Sequence, residues 1–410
     1  MKPLLRFRAD DGSEFPEWEE HNLSMFLEEN RLRNVDLNFG KNDVLSVSGD
    51  YGVVNQIELQ GRSFAGKSVQ QYHILPHNGI VYTKSPLKAN PYGIIKANKG
   101  IAGIVSTLYA VFDCKNNVTS EFVDLYFDLD ERLNKYLKPL VNIGAKHDMK
   151  ISNERFLSGR VCFPSLPEQR KIASFLSTID EIIQSTESEL TAWQERKKGV
   201  MQKIFNREVR FKADDGSEFP EWEERRIDSF ANCYAGATPS TKVAEYWQNG
   251  SIPWMSSGEV NNREIYETEK KISELGYEKS STKMIKPNTV VIALAGQGKT
   301  RGMVAIARIS VCTNQSLCAI ETNDMVNDDY LYQYLITQYD NLRRISSGDG
   351  TRGGLNLQLV GEYKVFLPVL HEQKKIADCL SSLDDVISNI QAELSAWKEF
   401  KKGLLQQMFV

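Results

Sequence analysis

The chain has little that would suit a metal centre, a membrane or an oxidising compartment. Among 410 residues there are six cysteines and five histidines. No cysteines form a Cys-x-x-Cys pair, and no His-x-x-x-His run lies near one. His73 and His77 are four apart, but Pro76 between them argues against a shared helical face. Cys114, Cys162, Cys233, Cys312, Cys318 and Cys379 therefore read as reduced thiols. No window approaches the roughly 18 consecutive apolar residues of a membrane span. The opening Met1-Lys2-Pro3-Leu4-Leu5-Arg6 reaches charge too soon for a signal peptide. These absences predict a cytoplasmic protein with neither metal nor membrane partner. Paired carboxylates, a nucleophile elbow and a His-based triad are lacking too, so no catalytic residues are expected.

A basic excess is also missing, since the net charge is −4. Its distribution is uneven. Residues 21–160 carry 17 Lys+Arg against 14 Asp+Glu, and residues 225–367 carry 16 against 15. The acid lies outside these two blocks, and neither block is basic enough to establish nucleic-acid binding by charge alone.

What the sequence does have is itself, twice. Arg6-Phe7-Arg8-Ala9-Asp10-Asp11-Gly12-Ser13-Glu14-Phe15-Pro16-Glu17-Trp18-Glu19-Glu20 returns at Arg210 through Glu224 with one change, Arg8 to Lys212. At the same offset of 204, Glu168-Gln169-Arg170-Lys171-Ile172-Ala173 returns as Glu372-Gln373-Lys374-Lys375-Ile376-Ala377. In mid-chain the second block runs into the first. At the ends, Met408-Phe409 finishes one copy, and its continuation stands at the N-terminus. The repeat closes only if the two chain ends meet, which predicts a circular, pseudo-two-fold arrangement.

Ile172, Leu176, Ile179, Ile183, Thr186, Leu190, Trp193, Lys197, Val200 and Ile204 step by four and three, as do Ile376, Leu380, Leu383, Ile387, Ile390, Leu394, Trp397, Lys401, Leu404 and Met408. That is a sustained heptad. It predicts two helices of about 57 Å at about 1.5 Å per residue, paired as an intramolecular antiparallel coiled coil. An amphipathic helix packed on its own domain is the blander alternative. The expected interface is Ile172, Leu176, Ile179, Ile183, Leu190, Trp193, Ile376, Leu380, Leu383, Ile387, Leu394 and Trp397. Lys197 and Lys401 interrupt the seam together and read as a solvated break more readily than as a docking point. Pro167 and Pro368 mark extended entry, and Glu168 and Glu372 suit the positive helix ends.

The expected domains are thus a closing segment at 1–20, a head at 21–166, a helix at 167–206, a connecting segment at 207–224, a second head at 225–370 and a second helix at 371–410. Strand-like runs occur at 43–48, 79–83 and 103–112, then at 289–294 and 303–307. Helices are expected at 123–136 and 329–344. Both heads should be mixed α/β (α+β) domains. Two motifs inside them mislead. Ala293-Leu294-Ala295-Gly296-Gln297-Gly298-Lys299-Thr300 fits a relaxed phosphate loop, the basis of an alternative nucleotide-binding reading. It is followed by Arg301-Gly302 and a strand, where a phosphate loop must open a helix. Asn90-Pro91-Tyr92-Gly93 lacks the second proline of an amino-methyltransferase motif and reads as a turn.

Two unlike heads on duplicated Pro-x-x-x-Glu-Gln-(Arg/Lys)-Lys-Ile-Ala helices, in circular order, resemble the specificity subunits of type I restriction–modification enzymes. Gly236-Ala237-Thr238-Pro239-Ser240, Tyr246-Trp247, Gly250-Ser251-Ile252-Pro253-Trp254 and Thr313-Asn314-Gln315-Ser316 look like their target-recognition pattern, with Ala237 where the family more often has glycine. The first head matches these motifs poorly and resembles a different class. The resemblance implies a non-catalytic subunit in which each head reads half of a bipartite, asymmetric double-stranded DNA site. The coiled coil would set the spacer. Two modification subunits that methylate adenine would dock on it, with restriction subunits completing an ATP-dependent nuclease. S-adenosylmethionine, ATP and Mg would belong to those partners, with no cofactor in this chain. A coiled-coil adaptor that binds no nucleic acid is the rival of a different kind. The candidate DNA contacts are Arg62, Lys67, Lys84 and Lys146 in the first head. In the second they are Thr238, Ser240, Gln297, Lys299, Arg301, Arg343, Arg344 and Arg352.

Overall fold

The computed structural model describes residues 3–409 apart from 88, 144–148, 297 and 347–353. The chain divides into two units, Met1–Glu187 with Ala392–Val410, and Ser188–Gln391. Both mix helix and strand.

Unit 1 is built on a four-stranded antiparallel sheet in the order Leu27–Asn30, Ala110–Cys114, Ile80–Tyr82, Ile95–Ala97. Side chains alternate across it. Ile80, Tyr82 and Phe112 pack with Phe122, Phe156 and Leu137. Val81 and Val111 pack on the other face with Leu45, Leu75 and Val105. Burial on both faces is why these strands read as unbroken apolar runs. Unit 2 has five strands in the order Ala231–Ala235, Leu317–Thr322, Thr289–Ala293, Val304–Ala307, Glu264–Ile265, the last parallel and the others antiparallel. Val290, Ile292 and Ile306 face Tyr330 and Leu331, whereas Val291, Ala305 and Ala319 face Met255 and Val260. Although the two heads share little sequence, the first four strands of unit 2 repeat the strand order of unit 1.

Three of the expected elements are each divided in two or interrupted. The run at 103–112 is two strands, Gly103–Val105 and Ala110–Cys114, separated by a turn in which Tyr109 N–H donates to the Ser106 carbonyl. The helix expected at 123–136 is two, Ser120–Tyr126 and Asp130–Leu137. The break buries Phe127 and turns Asp128 onto Lys96. The helix expected at 329–344 is also two, Asp328–Thr337 and Tyr339–Ile345. The Asn327 side chain caps the first by accepting from Tyr330 N–H.

The long helices are Leu166–Phe205 and Leu370–Met408. Pro167 falls inside the first turn, where a missing N–H costs nothing. In unit 1, Ile172, Leu176 and Ile179 share one core with Leu404, Leu405, Met408 and Phe409, and also with Phe122 and Phe163 of the head. In unit 2, Ile376, Ala377 and Leu380 share a core with Met201 and Ile204, and with Tyr330 and Val365. Packing on the partner helix and packing on the head thus occur together. Leu383, Ile183, Ile387, Leu190, Leu394, Trp193 and Trp397 are only half-buried.

The repeated blocks meet through buried charge. In unit 1, Arg6 Nε and Nη2 donate to Glu168 Oε1 and Oε2 at 3.0 and 2.8 Å. In unit 2, Arg210 makes the same pair with Glu372 at 3.1 and 2.8 Å. Both glutamates are fully buried. Their role is therefore to clamp the repeated Arg-Phe segment, beyond any interaction with the helix dipole. The neighbouring glutamines tie each head to its helix. Gln169 donates to the Asn117 and Pro164 carbonyls and accepts from Thr119 N–H. Gln373 does the same with Met325, Pro368 and Asn327.

The two joints of the repeat also match bond for bond. In unit 2, where the chain is continuous, Glu208 and Val209 N–H donate to the Lys203 carbonyl at 2.9 and 3.2 Å. In unit 1, Leu4 and Leu5 N–H donate to the Gln407 carbonyl at 2.9 and 3.1 Å. Leu4 and Leu5 thus meet Gln407, as the closing of the repeat requires.

Lys197 and Lys401 are not a solvated break. In unit 2, Lys197 Nζ lies 2.5 and 2.7 Å from the Asp384 carboxylate oxygens, which also accept from Gln333. In unit 1, Lys401 Nζ lies 2.8 Å from Asp180 and 3.5 Å from Asp128. Asp180 and Asp384 are themselves related by the offset of 204. Replacing Lys197 by Ala should cost about 1–2 kcal/mol, discounted for the partly exposed carboxylate. Adding Asp384→Ala should cost little more, so a double-mutant cycle in urea checks the coupling.

Asp128 carries a pH signature. Burial pushes its carboxyl up, but Lys96 at 2.5 Å and then Lys401 outweigh this and hold it below its ordinary value. With the folded value below the unfolded one, this stabilisation is complete above about pH 4 and is lost as pH falls through the folded value. The stability gap between wild type and Lys96→Met should therefore narrow below about pH 4 in acid-unfolding curves.

Candidate nucleic-acid interface

In unit 2 one end of the sheet gathers the motifs that sequence alone left scattered. The register places Ala235 opposite Cys318 and Ala293 opposite Leu317. The segments following Ala235 and Ala293 and the one preceding Leu317 therefore emerge together. Gly236 brings the first against the third. A Cβ built on it would lie 1.9 Å from the Thr313 carbonyl oxygen. Only glycine fits there, whereas the next position accepts Ala237. Thr238 Oγ1 then donates to Gln315 Oε1 at 2.7 Å, joining the two motifs. Trp254 Nε1 holds the Ala237 carbonyl at 3.1 Å, and Trp247 Nε1 holds that of Ser240 at 3.3 Å. Thr238 and Ser240 remain exposed.

The Gly-rich stretch beside them is the tip of a β-hairpin. Thr289–Ala293 pairs antiparallel with Val304–Ala307, and Gly302 N–H and the Met303 carbonyl both bond Ala293. No helix follows Thr300, so the backbone amides that would cradle a nucleotide phosphate are not arranged at a helix N-terminus. Lys299 is exposed at this tip and Arg301 is half-buried. Arg343 Nη1 donates to the Gly298 carbonyl at 2.7 Å, and Arg344 on the same short helix is exposed. Gln297 and Arg352, with most of the Gly-rich loop around Arg352, lie outside the described residues.

The corresponding sheet end of unit 1, where Asn30, Tyr82 and Ala110 lie, is chemically different. Lys84 follows Tyr82 but is half-buried, with Nζ 2.6 Å from Asn153 Oδ1. Asn153 in turn donates to Glu29 at 2.6 Å. Burial pulls the Lys84 ammonium down, and Glu29 partly restores it. Beside it His73 is pushed down to about 4 by burial, with Arg33 and Lys84 adding to the shift, so it is neutral at neutral pH. Lys84 is thus engaged in an internal network. Arg62 and Lys67 are exposed on a loop, Arg62 stacked over Phe64 at 4.6 Å. Lys146 lies outside the described residues. Among the described residues no group of three or more His, Cys, Asp or Glu could hold a metal ion, and no helix is long and apolar enough to cross a membrane.

Sequence reasoning missed Gln315 and Tyr339 as parts of this site, because their partners lie 77 and 40 residues away. Gln315 was within reach, since it stands inside a motif already singled out.

The model of the type I restriction modification DNA specificity domain matches residues 40–192 and 220–396, one match in each half of the repeat. The chain belongs to this family. It is 32% identical over 213 residues to the type I restriction enzyme MjaIX specificity subunit of Methanocaldococcus jannaschii, covering 50% of this chain and 48% of that one. It is 26% identical over 172 residues to the EcoR124I/EcoR124II specificity subunit of Escherichia coli, covering 42% and 43%. The chain thus spans about half the length of these relatives in the matched regions. A crystal structure of the type I restriction–modification S subunit from M. genitalium has the same fold, with a TM-score of 0.61 at 15% identity, covering 100% of this chain and 99% of that one. The loops at the corresponding sheet ends differ between the heads, whereas the Arg–Glu bonds of the two clamps repeat.

Proposed function

We propose that this chain is the non-catalytic specificity subunit of a type I restriction–modification complex, and that each head reads one half of a bipartite, asymmetric DNA site. The observation that carries this reading is the contrast between constant frame and variable tip. Arg6–Glu168 and Arg210–Glu372 are the same clamp made twice. The heads present different donors, exposed Thr238, Ser240 and Lys299 at the sheet end of unit 2 and exposed Arg62 and Lys67 on a loop of unit 1. Exposed hydroxyls and cations on strand-end loops suit contacts to phosphates and base edges. The long helices act as an antiparallel coiled coil that fixes the spacer and receives two adenine-methylating subunits, within a circular, pseudo-two-fold frame. S-adenosylmethionine, ATP and Mg then belong to the modification and restriction partners, and the complex works in the cytoplasm of a bacterium or archaeon.

The test is to map methylated adenines in host DNA with and without this gene. A split motif that vanishes on deletion and returns with the wild-type gene supports the proposal. An unchanged map contradicts it.

A further inference from the structure

The hairpin tip of unit 2 is held by two side chains that point at its backbone. Tyr339 Oη donates to the Lys299 carbonyl at 2.7 Å. Arg343 Nη1 donates to the Gly298 carbonyl at 2.7 Å and to Tyr339 Oη at 2.9 Å. The three form a relay from helix Tyr339–Ile345 onto two successive carbonyls. The loop needs this support. Gly296, Gly298 and Gly302 have φ of 140°, 71° and 83°. A loop with so many positive-φ glycines has little conformational preference of its own, and fixing it costs entropy. Gly302 also lies directly on the helix, where a Cβ would come within 3.3 Å of Arg343 Cγ. Leu342, between the two clamping residues, is fully buried and anchors the helix to the core.

We infer that Tyr339 and Arg343 are positioning residues, fixing the Gly298–Lys299 backbone so that the exposed side chains of the tip, Lys299 among them, meet one half of the DNA site in a set geometry. This rests on the DNA-reading function proposed above. It reassigns Arg343, a direct-contact candidate by sequence, to a role inside the protein. Its Nη1 is engaged within the protein, by the Gly298 carbonyl and the Tyr339 hydroxyl oxygen. Bases are read through bonds whose geometry must be set in advance, whereas phosphate attraction tolerates a loose loop. The clamp therefore governs selectivity more than overall attraction.

The test uses the full chain assembled with its methylating partners. Binding is measured to the duplex given by the methylation map and to duplexes scrambled in one half, over a range of salt. Tyr339→Phe removes one hydroxyl without altering charge or shape. It should weaken binding to the intact site about tenfold, within the range of one lost base contact, and leave binding to scrambled DNA unchanged. Arg343→Ala should behave alike and keep the wild-type slope of log affinity against log salt. A slope reduced by about 0.9 in Arg343→Ala would mark a direct phosphate contact and overturn the inference. So would a Tyr339→Phe complex indistinguishable from wild type. If Arg343→Ala fails to assemble, the isosteric Tyr339→Phe alone decides. A wild-type complex that does not distinguish intact from scrambled DNA would instead sink the DNA-reading proposal itself.

Discussion

Glu372→Ala should destabilise the protein by about 3–5 kcal/mol, the cost of removing one partner from a buried ion pair. The carboxylate is fully buried and accepts from Arg210 Nε, Arg210 Nη2 and Trp222 Nε1 at 3.1, 2.8 and 3.1 Å. Its loss strands a mostly buried guanidinium and an indole N–H. Glu168→Ala should cost less, because the pair in unit 1 has no tryptophan bond. Trp18, at the position equivalent to Trp222, has its Nε1 buried without a partner. Urea unfolding of the two variants checks both the size and the order. A loss under about 1 kcal/mol for Glu372→Ala would place the pair among exposed salt bridges and contradict the clamp.

Gly236→Ala is the second large effect expected, from a single methyl group. The added carbon would sit 1.9 Å from a main-chain oxygen and 2.4 Å from Thr313 Oγ1. Main chain cannot swing aside as a flexible side chain does. The Gly236–Ser240 segment must move, and the bond from Thr238 to Gln315 must break. A stability loss of about 1–3 kcal/mol, typical of overpacking, should accompany a loss of discrimination in the half-site read by unit 2. Ala237→Gly, one residue along, should change stability by no more than about 1 kcal/mol and leave discrimination intact. Thermal unfolding together with binding to intact and half-scrambled duplexes separates the two. Equal behaviour of the pair would show that the close approach at Gly236 does not shape the site.

The frame was legible in the sequence because it is repeated, and repetition needs no knowledge of packing. The heptads were legible for the same reason that helices bury one face. What the Glu-Gln motif does was not legible, because Arg6 and Glu168 stand 162 residues apart and nothing local links them. A signal existed all the same. Arg210 and Glu372 are separated by the identical 162 residues, and opposite charges repeated at one spacing invite pairing. The partners of Lys197 and Lys401 could have been found likewise, since Asp384 and Asp180 share the offset of 204.

Other features lay beyond periodicity. The breaks at Phe127 and Gln338 depend on which side chains the core accepts, and short helices of similar composition read as one. The shared order of four strands was hidden because both faces of each sheet are buried, so any apolar residue of suitable volume serves. At the candidate interface, residue type located the loops but not the direction of each side chain. Lys84 and Arg343 have the charge that DNA demands, yet Lys84 donates to Asn153 and Arg343 to Gly298.

The most direct test of two separate readers on one frame is an exchange. Residues 227–363 of this chain are replaced by the equivalent head of another specificity-domain protein, leaving both long helices and the Arg210–Glu372 clamp in place. Methylated adenines are then mapped in a host carrying the hybrid. A motif with one half altered, the other half intact and the spacer unchanged is the result expected. A motif altered in both halves, or in its spacer, would show that recognition is not divided between the heads.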